Sequence, residues 1–124
     1  MIPTVFHVAL GGALGAAARY GVGLALARPA GAFPLGVLAV NIAGSFLMGL
    51  ITVYLGEKLL TQFHPFLIAG VLGGFTTFSA FSLEAFMLFE RGAVGQAALY
   101  VVLSVVLSIA ALVAGVFIMR GVLA

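Results

Sequence analysis

Residues Gly73 to Phe81 read Gly-Gly-Phe-Thr-Thr-Phe-Ser-Ala-Phe, and this short stretch decides what kind of fold the chain has. It places a glycine pair, three hydroxyl side chains and three phenylalanines inside a long uncharged segment. Glycine and β-branched threonine are poor helix formers, so the pattern predicts a helix that is broken from Gly73 to Ser79. In hydrocarbon, backbone groups freed by a break need partners from protein or from a water-filled path. Broken helices at membrane depth usually mark an ion or substrate site.

The composition of the 124 residues identifies a membrane protein. Hydrophobic residues make up 65% of the chain and charged residues 6%, against about 25% charged in a soluble domain. Uncharged runs long enough to span a bilayer cover Pro29 to Gly56, Leu59 to Leu83 and Gly92 to Met119, and another from Met1 to Ala27 is interrupted only by Arg19. We therefore predict an all-α membrane protein with four transmembrane helices, forming a single domain over residues 1–124.

The positive charges are balanced between the two sides of the membrane. With four spans, Lys58 and Arg120 fall on one side and Arg28 and Arg91 on the other, while Arg19 lies within a span. The positive-inside rule orients a chain through a Lys/Arg asymmetry, and here there is almost none. The balance predicts insertion in both orientations and an antiparallel homodimer with its twofold axis in the membrane plane. The alternative is that Arg19, or the insertion of the first span, fixes one orientation.

The first span places Gly11, Gly15 and Gly23 at multiples of four, with Arg19 in the same series. Small residues at that spacing let helix backbones approach closely, so we expect a packing face there. Arg19 is then either a functional charge that faces protein or a vestibule, or an anchor that reaches the membrane interface.

The second span follows a short turn, predicted from Arg28 to Pro34, and carries Asn41 and Ser45 on one face. An amide in hydrocarbon needs hydrogen-bond partners. Asn41 is therefore either a bond between helices or a donor in a pore.

The fourth span carries a polar stripe in which each residue is four from the last: Gln96, Tyr100, Ser104 and Ser108. The last lies twelve positions after the first, which is about 18 Å of helix. The stripe either joins helices or lines a polar path, and four residues in register favour the path.

The second half of the third span combines phenylalanines with hydroxyl groups. Phe78 and Phe81 are three residues apart and share a helical face. The hydroxyls interleaved with them belong to Thr76, Thr77, Ser79 and Ser82. Glu84 follows and is either a proton carrier or a partner for hydroxyl donors.

These groups suit an anion. The Asn41 amide, the hydroxyls and the Arg19 guanidinium are donors, and phenylalanine edges carry positive partial charge that replaces hydration without trapping the ion. The carbonyls freed at the break have the opposite polarity, and the negative end of the preceding half-helix favours a cation there. In a twofold dimer two breaks can meet at the axis, where a buried cation would be structural.

These residues resemble the Fluc (CrcB) family of fluoride channels over essentially the whole chain. The resemblance is carried by three motifs: Gly11 to Ala16 with Arg19-Tyr20, Gly36 to Gly44 with Asn41, and above all Gly73 to Ser82 with Glu84. It implies a fluoride channel, not an enzyme, in the cytoplasmic (inner) membrane of a prokaryote, embedded in lipid and without a nucleic-acid partner. It also implies an antiparallel dual-topology homodimer with two pores that exports fluoride passively and so limits its toxicity.

The resemblance also assigns site residues by position. A central structural Na⁺, which is not transported, would be held by the backbone carbonyls of Gly73 and Thr76 from both subunits. Phe78 and Phe81 would line the fluoride path, with Asn41 as a donor. The other candidate path residues are Arg19, Thr77, Ser79, Ser82, Glu84, Tyr100, Ser104 and Ser108. This chain departs from the family pattern at Ala80 and Val37, where family members often have Thr.

Two other classes of protein remain as alternatives. A small dual-topology, proton-coupled multidrug exporter fits the size and the charge balance. Such exporters resemble one another in an essential acidic residue in the first span, where this chain has Arg19 and no carboxylate. In a non-transporting subunit of a larger membrane complex, the polar stripes would join helices.

Overall fold

The structure is a computed structural model that describes residues 3–29 and 32–124; Ala30 and Gly31 of the predicted turn lie outside the described residues. The helices, in chain order, are α1 (Thr4–Ala25), α2 (Leu35–Glu57), α3 (Pro65–Leu72, continued by Gly73–Phe75), α4 (Phe78–Glu90) and α5 (Val94–Leu123). Pro65–Leu72 has π-type hydrogen bonding, and a 3₁₀ turn, Thr61–Phe63, precedes it. Within the described residues, four helical segments are long and apolar enough to cross a membrane, and α3 and α4 share the third, Thr61–Glu90. The prediction of an all-α protein with four spans is confirmed.

Helix α1 packs on α3 through main-chain contacts. Gly11 and Gly15 are buried, and a Cβ on Gly15 would collide with the Val71 carbonyl. Gly70 lies against Gly11 in the same way, with a Cβ at Gly70 falling 2.9 Å from the Gly11 Cα. The predicted packing face is therefore confirmed at Gly11 and Gly15. At Gly23 the contact is with α2 instead of α3, since a Cβ on Gly36 would lie 3.4 Å from the Gly23 Cα.

Helix α2 packs on α5 through the same kind of main-chain contact at glycine. A Cβ on Gly49 would collide with the Leu112 carbonyl, and one on Gly115 would collide with the Phe46 carbonyl. Small residues that let backbones touch are the usual basis of helix association in lipid, where the hydrophobic effect does not drive helices together. Two closely packed helix pairs, α1 with α3 and α2 with α5, thus form the frame of the molecule.

Helix α4 lies against α5 and fills the remaining side of the bundle. It ends at Glu90, and Gly92, two residues beyond, has a φ of +80°, the left-handed conformation that favours glycine after a helix end. A buried cluster joins α4 to α2 and α5, and its members are Leu38, Phe81, Leu88, Ala97 and Tyr100. This cluster fixes the face of α4 that carries Phe81.

Candidate functional site

The chain between α3 and α4 is extended for two residues. Thr76 has φ −87° and ψ 159°, and Thr77 has φ −152° and ψ 124°. The predicted limits of Gly73 and Ser79 are too wide, because Gly73 and Gly74 are helical and Ser79 already belongs to α4. Gly74 has a packing role instead, since a Cβ there would lie 2.7 Å from the Gly12 carbonyl oxygen of α1.

The polar groups of this extended segment are held by local partners. The Thr76 hydroxyl donates to the Leu72 carbonyl at 3.0 Å. The Thr77 hydroxyl accepts the Ala80 N–H at 3.1 Å, which makes Thr77 the N-cap of α4. Such a cap satisfies one of the donors that a helix start leaves free.

Asn41 holds the same segment from α2. Its Nδ2 donates to the Thr77 carbonyl at 2.9 Å, and its Oδ1 accepts the Thr77 N–H at 2.8 Å. The amide oxygen thereby replaces the Gly73 carbonyl, which would accept the Thr77 N–H in a continuous helix. Asn41 is a bond between helices, and it also lines a cavity.

That cavity, which we call the Asn41 cavity, has a volume of about 350 Å³ between α2, α4 and α5. The described residues that line it carry no formal charge. They are Asn41, Gly44, Ser45, Met48, Thr76, Thr77, Phe78, Phe81, Ser104, Val105, Ser108, Ile109 and Leu112. It brings together the predicted residues of three separate spans.

Two phenylalanines stand at the α4 side of the Asn41 cavity. Phe81 is buried, whereas the Phe78 side chain is 76% exposed. Their ring centroids are 5.3 Å apart, with the ring planes tilted by 56°. Phe81 also packs on Tyr100, with the ring centroids 5.2 Å apart. Phe33 packs edge-on against Tyr100, with the ring centroids 5.5 Å apart.

The polar stripe of α5 supplies hydroxyl groups that have no partner. Tyr100 and Ser104 are buried and Ser108 is half-buried. Among residues 3–29 and 32–124, no group forms a hydrogen bond with the hydroxyl oxygens of Tyr100, Ser104 and Ser108. Ser104 and Ser108 line the Asn41 cavity, and Gln96, the first member of the predicted stripe, is exposed. An unpaired buried hydroxyl costs about 1–3 kcal/mol, so these groups are available to a ligand or to water.

Arg19 binds the backbone beside the extended segment. Its Nε donates to the Gly74 carbonyl at 3.1 Å, and its side chain is half-buried. Arg19 lines a different space of about 290 Å³, the Arg19 cavity, together with Val37, Thr77 and Ala80. The two departures from the family pattern therefore lie in the Arg19 cavity, and neither lines the Asn41 cavity.

The remaining predicted residues lie away from the Asn41 cavity. Ser79 and Ser82 are exposed; the Ser82 hydroxyl donates to the Phe78 carbonyl at 3.0 Å, and the Ser79 hydroxyl lies 3.3 Å from that of Thr77. Glu84 lines a third space of about 320 Å³, the Glu84 cavity, together with Arg28 and Arg91.

Some residues at the site are not among the candidate path residues of the sequence analysis. Ser45, which the sequence places on the same helix face as Asn41, lines the Asn41 cavity. Gly44 lies so close to Thr76 that a Cβ would collide with the Thr76 methyl group. Phe33, which precedes α2, contacts Tyr100, and nothing in its sequence context indicates this contact.

Comparisons with known proteins identify the family of this chain. A family model described as CrcB-like protein, Camphor Resistance (CrcB), matches residues 6–116. The chain is 61% identical to the Fluoride-specific ion channel FluC of Ruegeria sp. (strain TM1040), over 99% of both chains. It is 53% and 55% identical to proteins of the same name from Paracoccus denitrificans (strain Pd 1222) and Cereibacter sphaeroides (strain ATCC 17029 / ATH 2.4.9), over 98% of each chain. The chain belongs to the CrcB family.

Proposed function

We propose that this multi-pass membrane protein is a fluoride-selective channel and not an enzyme. The observation that carries the proposal is the Asn41 cavity, where unpaired hydroxyls of α5 face Phe78 and Phe81. The relatives named as fluoride-specific ion channels extend over the same length of chain.

The chemistry of the Asn41 cavity favours a small anion. Ser104 and Ser108 offer O–H donors, and Asn41 keeps one N–H of its amide after the other has bonded to Thr77. The phenylalanine ring edges add weak positive potential. Since the described lining of the cavity carries no formal charge, an anion can be partly dehydrated there without being trapped, which is the balance that conduction requires.

The exporter alternative receives no support from the site. Residues 1–27 contain no Asp or Glu, and the described lining of the Asn41 cavity contains no carboxylate. Proton-coupled export needs a group that binds and releases protons within the transport site. Passive movement of fluoride down its gradient, which lowers its concentration in the cytoplasm, is the simpler function.

The active unit is an antiparallel dual-topology homodimer with two pores in the inner membrane of a bacterium. The balance of Lys and Arg between the two sides supports insertion in both orientations. The large exposed ring of Phe78, at the rim of the Asn41 cavity, supports a second subunit that completes the wall.

A structural Na⁺ would be held by the carbonyls of Gly73 and Thr76 from both subunits. In a continuous helix these carbonyls would accept the N–H groups of Thr77 and Ala80. Those donors bond instead to Asn41 and to the Thr77 hydroxyl, so both carbonyls lose their helical partners. Arg19 occupies the Gly74 carbonyl between them. Carbonyl oxygens at a helix break suit a hard cation, which when bound would be coordinated by them and would join the subunits.

Fluoride efflux from liposomes tests the function. Protein purified in Na⁺ and reconstituted into vesicles loaded with fluoride should release it when an ionophore removes the opposing potential. Vesicles loaded with chloride should release almost none. A folded, Na⁺-containing preparation that releases no fluoride would reject the channel, and release that depends on a proton gradient would favour the exporter.

A further inference from the structure

Both polar atoms of the Asn41 amide form hydrogen bonds with one residue, Thr77, at the start of α4. The Nδ2–O distance to Thr77 is 2.9 Å and the N–Oδ1 distance is 2.8 Å, and the two residues are 36 apart in the chain. The side chain is half-buried, so water competes weakly for these bonds. A paired contact of this kind fixes the orientation of the Thr77 peptide groups as well as their position.

The contact determines which carbonyls are free. If Thr77 became helical, its N–H would point at the Gly73 carbonyl and would leave the Asn41 Oδ1. The bond from the Thr77 N–H to Asn41 would then break. The paired contact therefore opposes closure of the break and keeps the Gly73 carbonyl without its helical donor.

We infer that Asn41 is a positioning residue that sets the affinity of the Gly73 and Thr76 carbonyls for Na⁺ by holding Thr77 extended. This inference rests on the proposed function, because it concerns the cation proposed there. Asn41 also lines the Asn41 cavity, so one side chain links the anion path to the cation site.

The experiment measures how Na⁺ stabilises the purified protein. The unfolding temperature is recorded over a series of Na⁺ concentrations, with N-methylglucamine keeping the ionic strength constant. A cation that binds only the folded protein raises the unfolding temperature with a midpoint set by its dissociation constant. Two variants are compared with the unmodified chain: Asn41→Leu, which removes both hydrogen bonds, and Asn41→Ser, whose shorter side chain keeps a donor in the cavity and cannot span both groups of Thr77.

Both variants should need about tenfold more Na⁺ for the same stabilisation, as expected for coupled members of one hydrogen-bond network. Ser104→Ala is the matched control, because Ser104 lines the same cavity and does not touch Thr77. It should lower fluoride flux and leave the Na⁺ midpoint unchanged.

Two results would overturn the inference. A loss of unfolding temperature that is equal at every Na⁺ concentration would show that Asn41 only stabilises the fold. An unmodified protein whose unfolding ignores Na⁺ would remove the cation site itself, and fluoride efflux from the same preparation would show whether the channel function still stands.

Discussion

The extended segment between α3 and α4 and the polar stripe of α5 face the same cavity, but they treat their polar groups differently. The Thr76 hydroxyl is bonded to Leu72 and the Thr77 hydroxyl to Ala80. Both main-chain groups of Thr77 are bonded to Asn41. On α5, the hydroxyls of Tyr100, Ser104 and Ser108 have no partner within the described part of the chain.

We interpret this difference as a division between groups that build the site and groups that are free to bind a ligand or water. Bonded polar groups maintain a shape, and removing one leaves its partner unsatisfied. An unpaired buried hydroxyl lowers stability until a ligand or water satisfies it. Changes to the segment should therefore reduce stability, whereas changes to the stripe should reduce flux.

The largest effect is expected where the two regions meet, at Phe81. Phe81→Ile removes the ring that follows the extended segment and packs on Tyr100. Fluoride flux should fall at least about a hundredfold, or ~2.7 kcal/mol, because an aliphatic side chain presents no positive edge to the anion. Liposome efflux measures the rate, and size-exclusion chromatography checks the assembly.

Phe86→Ile is the control for that change. Phe86 lies on the same helix with its side chain 58% exposed, outside the described lining of all three cavities. Its flux should match that of the unmodified protein. If Phe81→Ile conducts equally well, ring edges have no part in the path.

An intermediate effect is expected from the stripe. Ser104→Ala and Ser108→Ala should each reduce flux by about tenfold or less, as for the loss of one hydrogen-bond donor. The free energy of unfolding should stay the same or rise, since each change removes an unpaired buried hydroxyl. Efflux and thermal unfolding of the same samples give both quantities.

The exposed Ser82 provides the comparison for the stripe variants, as Ser82→Ala removes a hydroxyl bonded only to its own helix. Ser82→Ala should change neither the fluoride flux nor the free energy of unfolding. A loss of more than about 1 kcal/mol in Ser104→Ala would mean that the stripe joins helices, the other interpretation of the sequence pattern.

The smallest effect is expected at the helix cap. Thr77→Ala removes the hydroxyl that accepts the Ala80 N–H, and should lower the free energy of unfolding by about 1 kcal/mol. Thr77→Ser keeps the acceptor and should lose much less. Equal losses in the two variants would show that the cap does not stabilise α4.

The sequence predicted the spans well because each is a long uncharged run, and that signal does not depend on tertiary contacts. It also identified five candidate residues that line one cavity in the structure: Asn41, Phe78, Phe81, Ser104 and Ser108. Whether these residues act in conduction stays a prediction.

The predictions failed where a residue's role depends on a distant partner. Gly74 looked like a helix breaker and is a contact for α1, which no local pattern indicates. Arg19 and Glu84 do not line the Asn41 cavity, and whether they belong to the ion path stays a prediction. The bonds from Asn41 to Thr77 join residues of different spans, so neither residue's neighbours indicate them.

The glycine contacts between α2 and α5 bear on the width of the Asn41 cavity. Asn41 and Ser45 belong to one of these helices and Ser104 and Ser108 to the other, and main chain touches main chain at Gly49 and Gly115. Helices in such contact cannot approach further, and separating them would forfeit close packing along both. Two walls of the cavity are thus held at a fixed separation, so a ligand that binds there should leave the spacing of α2 and α5 unchanged.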